Sequence, residues 1–242
     1  MAGLRVLLHV AFLGYYSWAV YADYLFIPPS FLPVKNVYWS RFAWLTMIDL
    51  FLQLFYQFWA VLASLGAPLC SKSFHFLARV FIQPLGLAVP LLFWGLLFYD
   101  PKTLIENEQG RKLLEFQALN HAIHTFPAVT ALFDILLWNH GSPRIRNVLL
   151  ALLTFSALYI ADLHYIHHVS GGFWPYPILA QLDFPGRVAF ILACVFVIFA
   201  CYGVAAIMNR IVNGKAGLAP LAAKQATATG NKKKAIKKQK HY

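Results

Sequence analysis

Six apolar stretches, each near the ~20 residues that a helix needs to cross hydrocarbon, confine this chain to one class of fold. They run over residues 4–22, 40–65, 79–99, 117–138, 146–165 and 188–208. No water reaches backbone groups inside a bilayer, so a single apolar stretch of this length must satisfy its own N–H and C=O groups as a helix. Of the 242 residues, 60% are hydrophobic and 12% charged, about half the charged share of a soluble domain. The expected fold class is therefore all-α: a polytopic membrane protein with six transmembrane helices in one domain over residues 1–210. The first stretch follows Arg5, as in a signal peptide. Tyr21, Asp23 and Tyr24 stand where a small-residue cleavage site would be, so it reads as a helix.

Basic residues set the orientation, because cytoplasmic loops hold the excess of Lys and Arg. With both termini inside, the inner segments carry Arg5, Lys72, Arg79, Arg144, Arg146 and everything basic from Arg210 onward. The outer ones carry Lys35, Arg41, Lys102, Arg111, Lys112 and Arg187, several of them near Glu106, Glu108 and Glu115. Both termini are expected to be cytosolic. The net charge of +11 comes largely from a C-terminal run that includes Lys232, Lys233, Lys234, Lys237, Lys238 and Lys240. That run lacks aromatic platforms or a folded motif, so it is expected to meet anionic lipid or to set topology, and not to bind nucleic acid. Residues 211–242 have little to bury and read as a disordered basic cytosolic tail. Lys238 and Lys240, five and three residues from the end, resemble a dilysine signal that a retrieval coat reads on endoplasmic-reticulum proteins. Cys70, Cys194 and Cys201 are too few for a disulfide framework.

Ionisable and polar side chains inside the apolar stretches mark the functional candidates, since a charge in hydrocarbon costs a few kcal/mol on insertion scales. They are Thr46 and Asp49 in the second stretch, His121 and His124 in the fourth, and Asp162, His164, His167 and His168 at the end of the fifth. At 1.5 Å per residue, Thr46 lies roughly 9 Å and His124 roughly 10 Å below the outer ends of their helices. The fifth helix brings His164, His167 and His168 out at the same level. Thr46 and Asp49 are three apart and share a helix face, as do His121 and His124. Asp49 is expected to be protonated or paired with a histidine from another helix. Many membrane threonines only bond their own backbone or pack between helices, and an interfacial histidine is as often structural as catalytic.

Two kinds of chemistry suit this set. His164-x-x-His167-His168 and His121-x-x-His124 have spacings that can present imidazoles to a metal. Membrane di-iron enzymes use about eight histidines, more than the five gathered here. His9, His75, His140 and His241 fall at the other face or in the tail. Alternatively, a histidine takes the proton from a threonine hydroxyl as it attacks an acyl group. No G-x-S-x-G elbow, phosphate-binding glycine loop or zinc-type cysteine pair is present.

Three strings carry a resemblance: Trp44-Leu45-Thr46-Met47-Ile48-Asp49-Leu50, Leu119-Asn120-His121-Ala122-Ile123-His124-Thr125, and His167-His168-Val169-Ser170-Gly171, followed by Trp174, Tyr176 and Pro177. Together they resemble the androgen-induced and androgen-dependent family of multi-pass membrane threonine hydrolases. The resemblance implies six spans, hydrolysis of fatty acid esters of hydroxy fatty acids, Thr46 as nucleophile and His124 as base, with no metal and no cofactor. Asp49 would support the polar network, and Asn120, His121 or His168 would stabilise the oxyanion. The segment around Leu65–Phe76 and the lysine-rich tail depart from the family pattern. The expectation is an endoplasmic-reticulum lipid ester hydrolase. The competing classes are a metal-dependent lipid oxidase or hydroxylase using the histidine cluster, and a non-enzymatic lipid-binding membrane protein.

Overall fold

A computed structural model of the protein describes residues 2–66, 72–105 and 108–214. Cys70 and the lysine-rich tail, including Lys238 and Lys240, lie outside the described residues. Within them the chain is helical and contains no strand. The helices are α1 (Ala2–Phe26), α2 (Leu45–Ser64), α3 (Lys72–Leu77), α4 (Gln83–Tyr99), α5 (Glu108–Glu115), α6 (Gln117–His124), α7 (Phe126–Leu137), α8 (Ile145–Val169), α9 (Pro177–Gln181) and α10 (Phe184–Asn213). A π-turn over Ala78–Ile82 joins α3 to α4 in one rod.

Four of these units are long and apolar enough to cross a membrane: Leu45–Ser64, Lys72–Tyr99, Ile145–Val169 and Phe184–Asn213. Two of the six apolar stretches are not among these four. The first forms a continuous helix, α1, of 25 residues. The fourth is broken into α6 and α7, of 8 and 12 residues. Pro127 explains the break: it has no N–H to bond the Ile123 carbonyl four residues back, and its ring crowds that carbonyl. Thr125 accordingly leaves the helix with φ −124° and ψ −45°. Pro84 stands early in the third stretch without breaking it: the backbone stays helical through Gln83, and the π-turn before it accommodates the missing N–H.

The second stretch also starts later than its apolar run suggests. Tyr38–Ala43 form a 3-10 helix, Trp44 is extended, and α2 begins at Leu45. Thr46 therefore lies in the first turn of α2, not six residues down a continuous helix.

Helix α2 is the central element. Leu45 joins a core with Leu85, Val89, Leu152 and Ile198. Met47 and Leu50 pack with Tyr16, Ala19 and Ala122. Tyr56, Ala60 and Ala63 pack with Phe74, Ile82 and Trp138. Helix α1 lies along α2, while α4 packs on α7 and α10. Gly86 permits the close approach of α4 to α7: a Cβ there would sit 2.8 Å from the Pro127 carbonyl oxygen and 3.1 Å from the Ala131 Cβ.

A buried polar network ties the other end of the bundle together. Asp134 in α7 accepts from Tyr56, from Gln83 at 2.7 Å and from His140 at 3.0 Å. The Nδ1 atoms of His75 and His140 are 2.7 Å apart. Trp138 donates to His9 at 2.8 Å, and the other nitrogen of His9 meets Gln57 at 2.7 Å. Buried polar groups are costly unless bonded in this way. His9 and His140 are thus buried structural residues, not interfacial ones.

Candidate functional site

The start of α2 is held from outside its own helix. The first residues of a helix have N–H groups without intrahelical partners, and Trp44 offers no side-chain cap here. The Leu45 N–H instead donates to the Tyr176 hydroxyl at 2.9 Å. Tyr159 gives its single proton to the Ala43 carbonyl at 2.8 Å, and its oxygen lies 3.2 Å from that of Tyr176. With Tyr159's proton committed, Tyr176 is the donor between the two. Burial pushes the Tyr176 phenol up to about 12, so this bonding order holds across ordinary pH. Trp44 Nε1 donates to the Pro175 carbonyl at 2.9 Å. The Trp174–Pro177 segment thus clamps the turn that carries Thr46.

Among the first N–H groups of α2, Leu45 is bonded to Tyr176, and Met47 and Ile48 both reach the Trp44 carbonyl, at 2.9 and 3.3 Å. The N–H of Thr46 makes no hydrogen bond to any described residue.

Thr46 stands where two cavities meet. The larger, about 280 Å³, is lined by Thr46, Asn120, His124, Asp23, Arg41 and Trp174, among others. The smaller, about 90 Å³, runs between α4, α8 and α10 and is lined by Thr46, Leu92, Phe155, Ser156, Cys194 and Ile198, among others. Thr46, Phe93, Leu104 and Tyr176 line both. The larger cavity has one charged pair on its wall, Asp23 of α1 with Arg41. No charged residue lines the smaller one.

His124 is the last residue of α6, placed at the α6–α7 break. Its Nδ1 lies 2.6 Å from the Asn120 side-chain oxygen, one turn earlier. An amide oxygen only accepts, so the imidazole proton sits on Nδ1 and the lone pair on Nε2. Nε2 makes no hydrogen bond to any described residue. Phe93 stacks flat on the ring, centroids 3.4 Å apart and planes 3° from parallel. The Asn120–His124 contact was contained in the spacing, since residues four apart on a helix are neighbours.

The remaining sequence candidates lie elsewhere. Asp49 is fully buried but lines neither cavity. Its partner is Gln53, one turn on in α2, which donates to Oδ1 at 3.2 Å; no histidine reaches it. Its Oδ2 has no partner among the described residues. His121 is exposed, stacked on Trp94 and 3.0 Å from the Thr125 hydroxyl. His168 is exposed and lines neither cavity. His167 stacks on Trp174 with centroids 4.0 Å apart, and His164 meets that ring edge-on at 5.6 Å. These two histidines buttress a cavity wall from behind. Among the described residues, no three His, Cys, Asp or Glu side chains are grouped to hold a metal.

Comparison with known proteins gives a consistent family. The human androgen-induced gene 1 protein is 26% identical over 196 residues, spanning 75% of this chain and 81% of that protein. A membrane protein of Schizosaccharomyces pombe is 26% identical over 175 residues, 72% of this chain and 77% of its own. The human androgen-dependent TFPI-regulating protein is 28% identical over 167 residues, 65% of this chain and 71% of its own. No solved structure matches the chain. The family model described as FAR-17a/AIG1-like protein matches residues 4–210, all of the helical region but its ends, and the chain belongs to that family.

Proposed function

We propose that this protein is an intramembrane lipid ester hydrolase that cleaves fatty acid esters of hydroxy fatty acids, with Thr46 as nucleophile and His124 as base. One observation carries the reading: Thr46 and His124 line a single cavity, and Asn120 holds the imidazole with its lone pair on Nε2. A hydroxyl, a base and a residue orienting the base make up the general pattern of an activated nucleophile.

In the first half-reaction Thr46 Oγ1 attacks the ester carbonyl carbon as His124 Nε2 takes the hydroxyl proton. The carbonyl oxygen gains negative charge, and the N–H of Thr46, which makes no hydrogen bond to a described residue, is the donor proposed for it. Collapse breaks the ester C–O bond, the alkoxide leaves with the electron pair, and His124 returns the proton to it. Water then attacks the acyl-threonine, His124 takes the water's proton, and Thr46 departs as an alkoxide that recovers it. Asn120 thus serves His124 as a positioning residue, and the donor to the oxyanion is backbone. No oxidant or reductant enters the cycle.

In this reading α1 and the α6–α7 pair cross the bilayer together with the four long rods, giving six crossings and cytosolic termini. The distribution of Lys and Arg supports that orientation. Purified protein in lipid nanodiscs, with a strong chelator present, is expected to release free fatty acid and hydroxy acid in equal amounts. Tight binding of the ester without turnover would identify a lipid-binding protein instead. Activity that needs added iron or zinc would identify a metal enzyme.

The proposed location is the endoplasmic reticulum, with Lys238 and Lys240 read by the retrieval coat. Serine at both positions is expected to release the protein to later compartments by fluorescence microscopy. Unchanged reticular staining would contradict that assignment.

A further inference from the structure

The two cavities that meet at Thr46 differ in polarity, and only one of them contains the base. Those two facts orient the substrate. Resting on the hydrolase reading above, we propose that the acyl chain of the ester occupies the smaller cavity between α4, α8 and α10, and that the hydroxy-acid half occupies the larger one. Ser156 and Cys194 would then set acyl-chain length.

The path of the proton fixes the side of the leaving half. The oxygen that leaves after Thr46 attacks is the one belonging to the hydroxy acid. It must take its proton from His124 Nε2, and His124 lines the larger cavity and not the smaller. The leaving half therefore lies on the His124 side of Thr46. The acyl chain, attached to the same carbonyl carbon, extends the other way.

Desolvation sorts the two halves the same way. The hydroxy-acid half carries a free carboxylate, which is costly to bury without a partner. The smaller cavity has no charged side chain, and the Ser156 hydroxyl within it is buried without a partner. The wall is otherwise mainly Leu, Phe, Ile and Val, suited to a hydrocarbon chain. The larger cavity carries the Asp23–Arg41 pair, and the Nε of Arg41 is buried without a partner among the described residues, as is Oδ1 of Asp23. Of the two cavities, only that one offers a carboxylate a cation.

Ser156 comes from α8 and Cys194 from α10, on different walls of the smaller cavity. Ile198, 4% exposed, lies one turn beyond Cys194. A larger side chain at Ser156 or Cys194 shortens the space for the chain, and a smaller one at Ile198 lengthens it. Loss of a methylene's fit in an apolar pocket changes kcat/KM by about tenfold or more.

The test uses full-length protein in nanodiscs and two ester series. In one the acyl chain grows from short to long on a fixed hydroxy acid; in the other the hydroxy acid grows on a fixed acyl chain. Ser156→Phe and Cys194→Phe are expected to lower the long-to-short acyl ratio of kcat/KM by about tenfold or more, leaving the hydroxy-acid ratio unmoved. Ile198→Ala is expected to shift the acyl optimum to longer chains, a gain that poor folding cannot produce. Movement of the hydroxy-acid ratio, or of neither ratio, in protein that still hydrolyses esters would overturn the orientation and leave the hydrolase reading standing. Absence of hydrolysis in the parent protein would overturn both.

Discussion

Thr46→Ala is expected to reduce ester turnover by at least about 10³-fold, the scale on which removing a nucleophile acts in enzymes of this kind, while leaving expression and thermal unfolding in detergent near those of the parent. The small structural cost follows from position. Thr46 is half-buried in the first turn of α2, where its hydroxyl makes no hydrogen bond to a described residue. Alanine is also a better helix former than threonine. The turn itself is held by bonds that do not involve the Thr46 side chain, from Tyr176 to the Leu45 N–H and from Trp44 to Pro175. Thr46→Ser keeps a hydroxyl at the same Cβ and is expected to retain measurable turnover. A Thr46→Ala protein with parental kcat/KM would remove the threonine from the chemistry.

His124→Ala is expected to cause a loss of similar size, and the two losses should not add. Once the base is gone the hydroxyl is no longer activated, so Thr46→Ala/His124→Ala should be about as slow as either single variant. Additive losses would show that the two residues act separately. Asn120→Ala should cost less, because it removes the group that fixes the proton on Nδ1 but leaves both reacting groups in place. The stacking of Phe93 on His124 continues to hold the ring plane in that variant.

The residues most legible in the sequence were polar ones standing inside apolar runs. Thr46 and His124 stood out in this way and both line one cavity, although Thr46 lies in the first turn of α2 and not at the depth a continuous helix would give it. Length and apolar composition marked α8 and α10 as membrane-spanning units, and both form. The break at Thr125 was written in Pro127, but hydropathy averages across a single proline. Asp134 lay inside the fourth apolar stretch as an ionisable residue and belonged with the buried groups. Its partners Tyr56, Gln83 and His140 come from elsewhere in the chain. Long-range contacts of this kind leave no periodic trace. The same holds for Tyr176, whose hydroxyl meets the Leu45 N–H across 131 positions. Shared helix faces also proved too coarse a guide. Residues three apart lie about 60° apart around a helix, enough for His124 to line the cavity while His121 is exposed beside Trp94.

The identity of the nucleophile is open to direct measurement. A fluorophosphonate carrying an alkyl chain forms a stable bond to an activated hydroxyl oxygen and expels fluoride, copying the first half-reaction without the second. Protein in nanodiscs is treated with the probe and digested, and the modified peptide is sequenced by tandem mass spectrometry. The account predicts one adduct, on Thr46, absent in Thr46→Ala and strongly reduced in His124→Ala. An adduct on another residue, or ester hydrolysis by protein whose Thr46 stays unmodified while the probe abolishes activity, would contradict it.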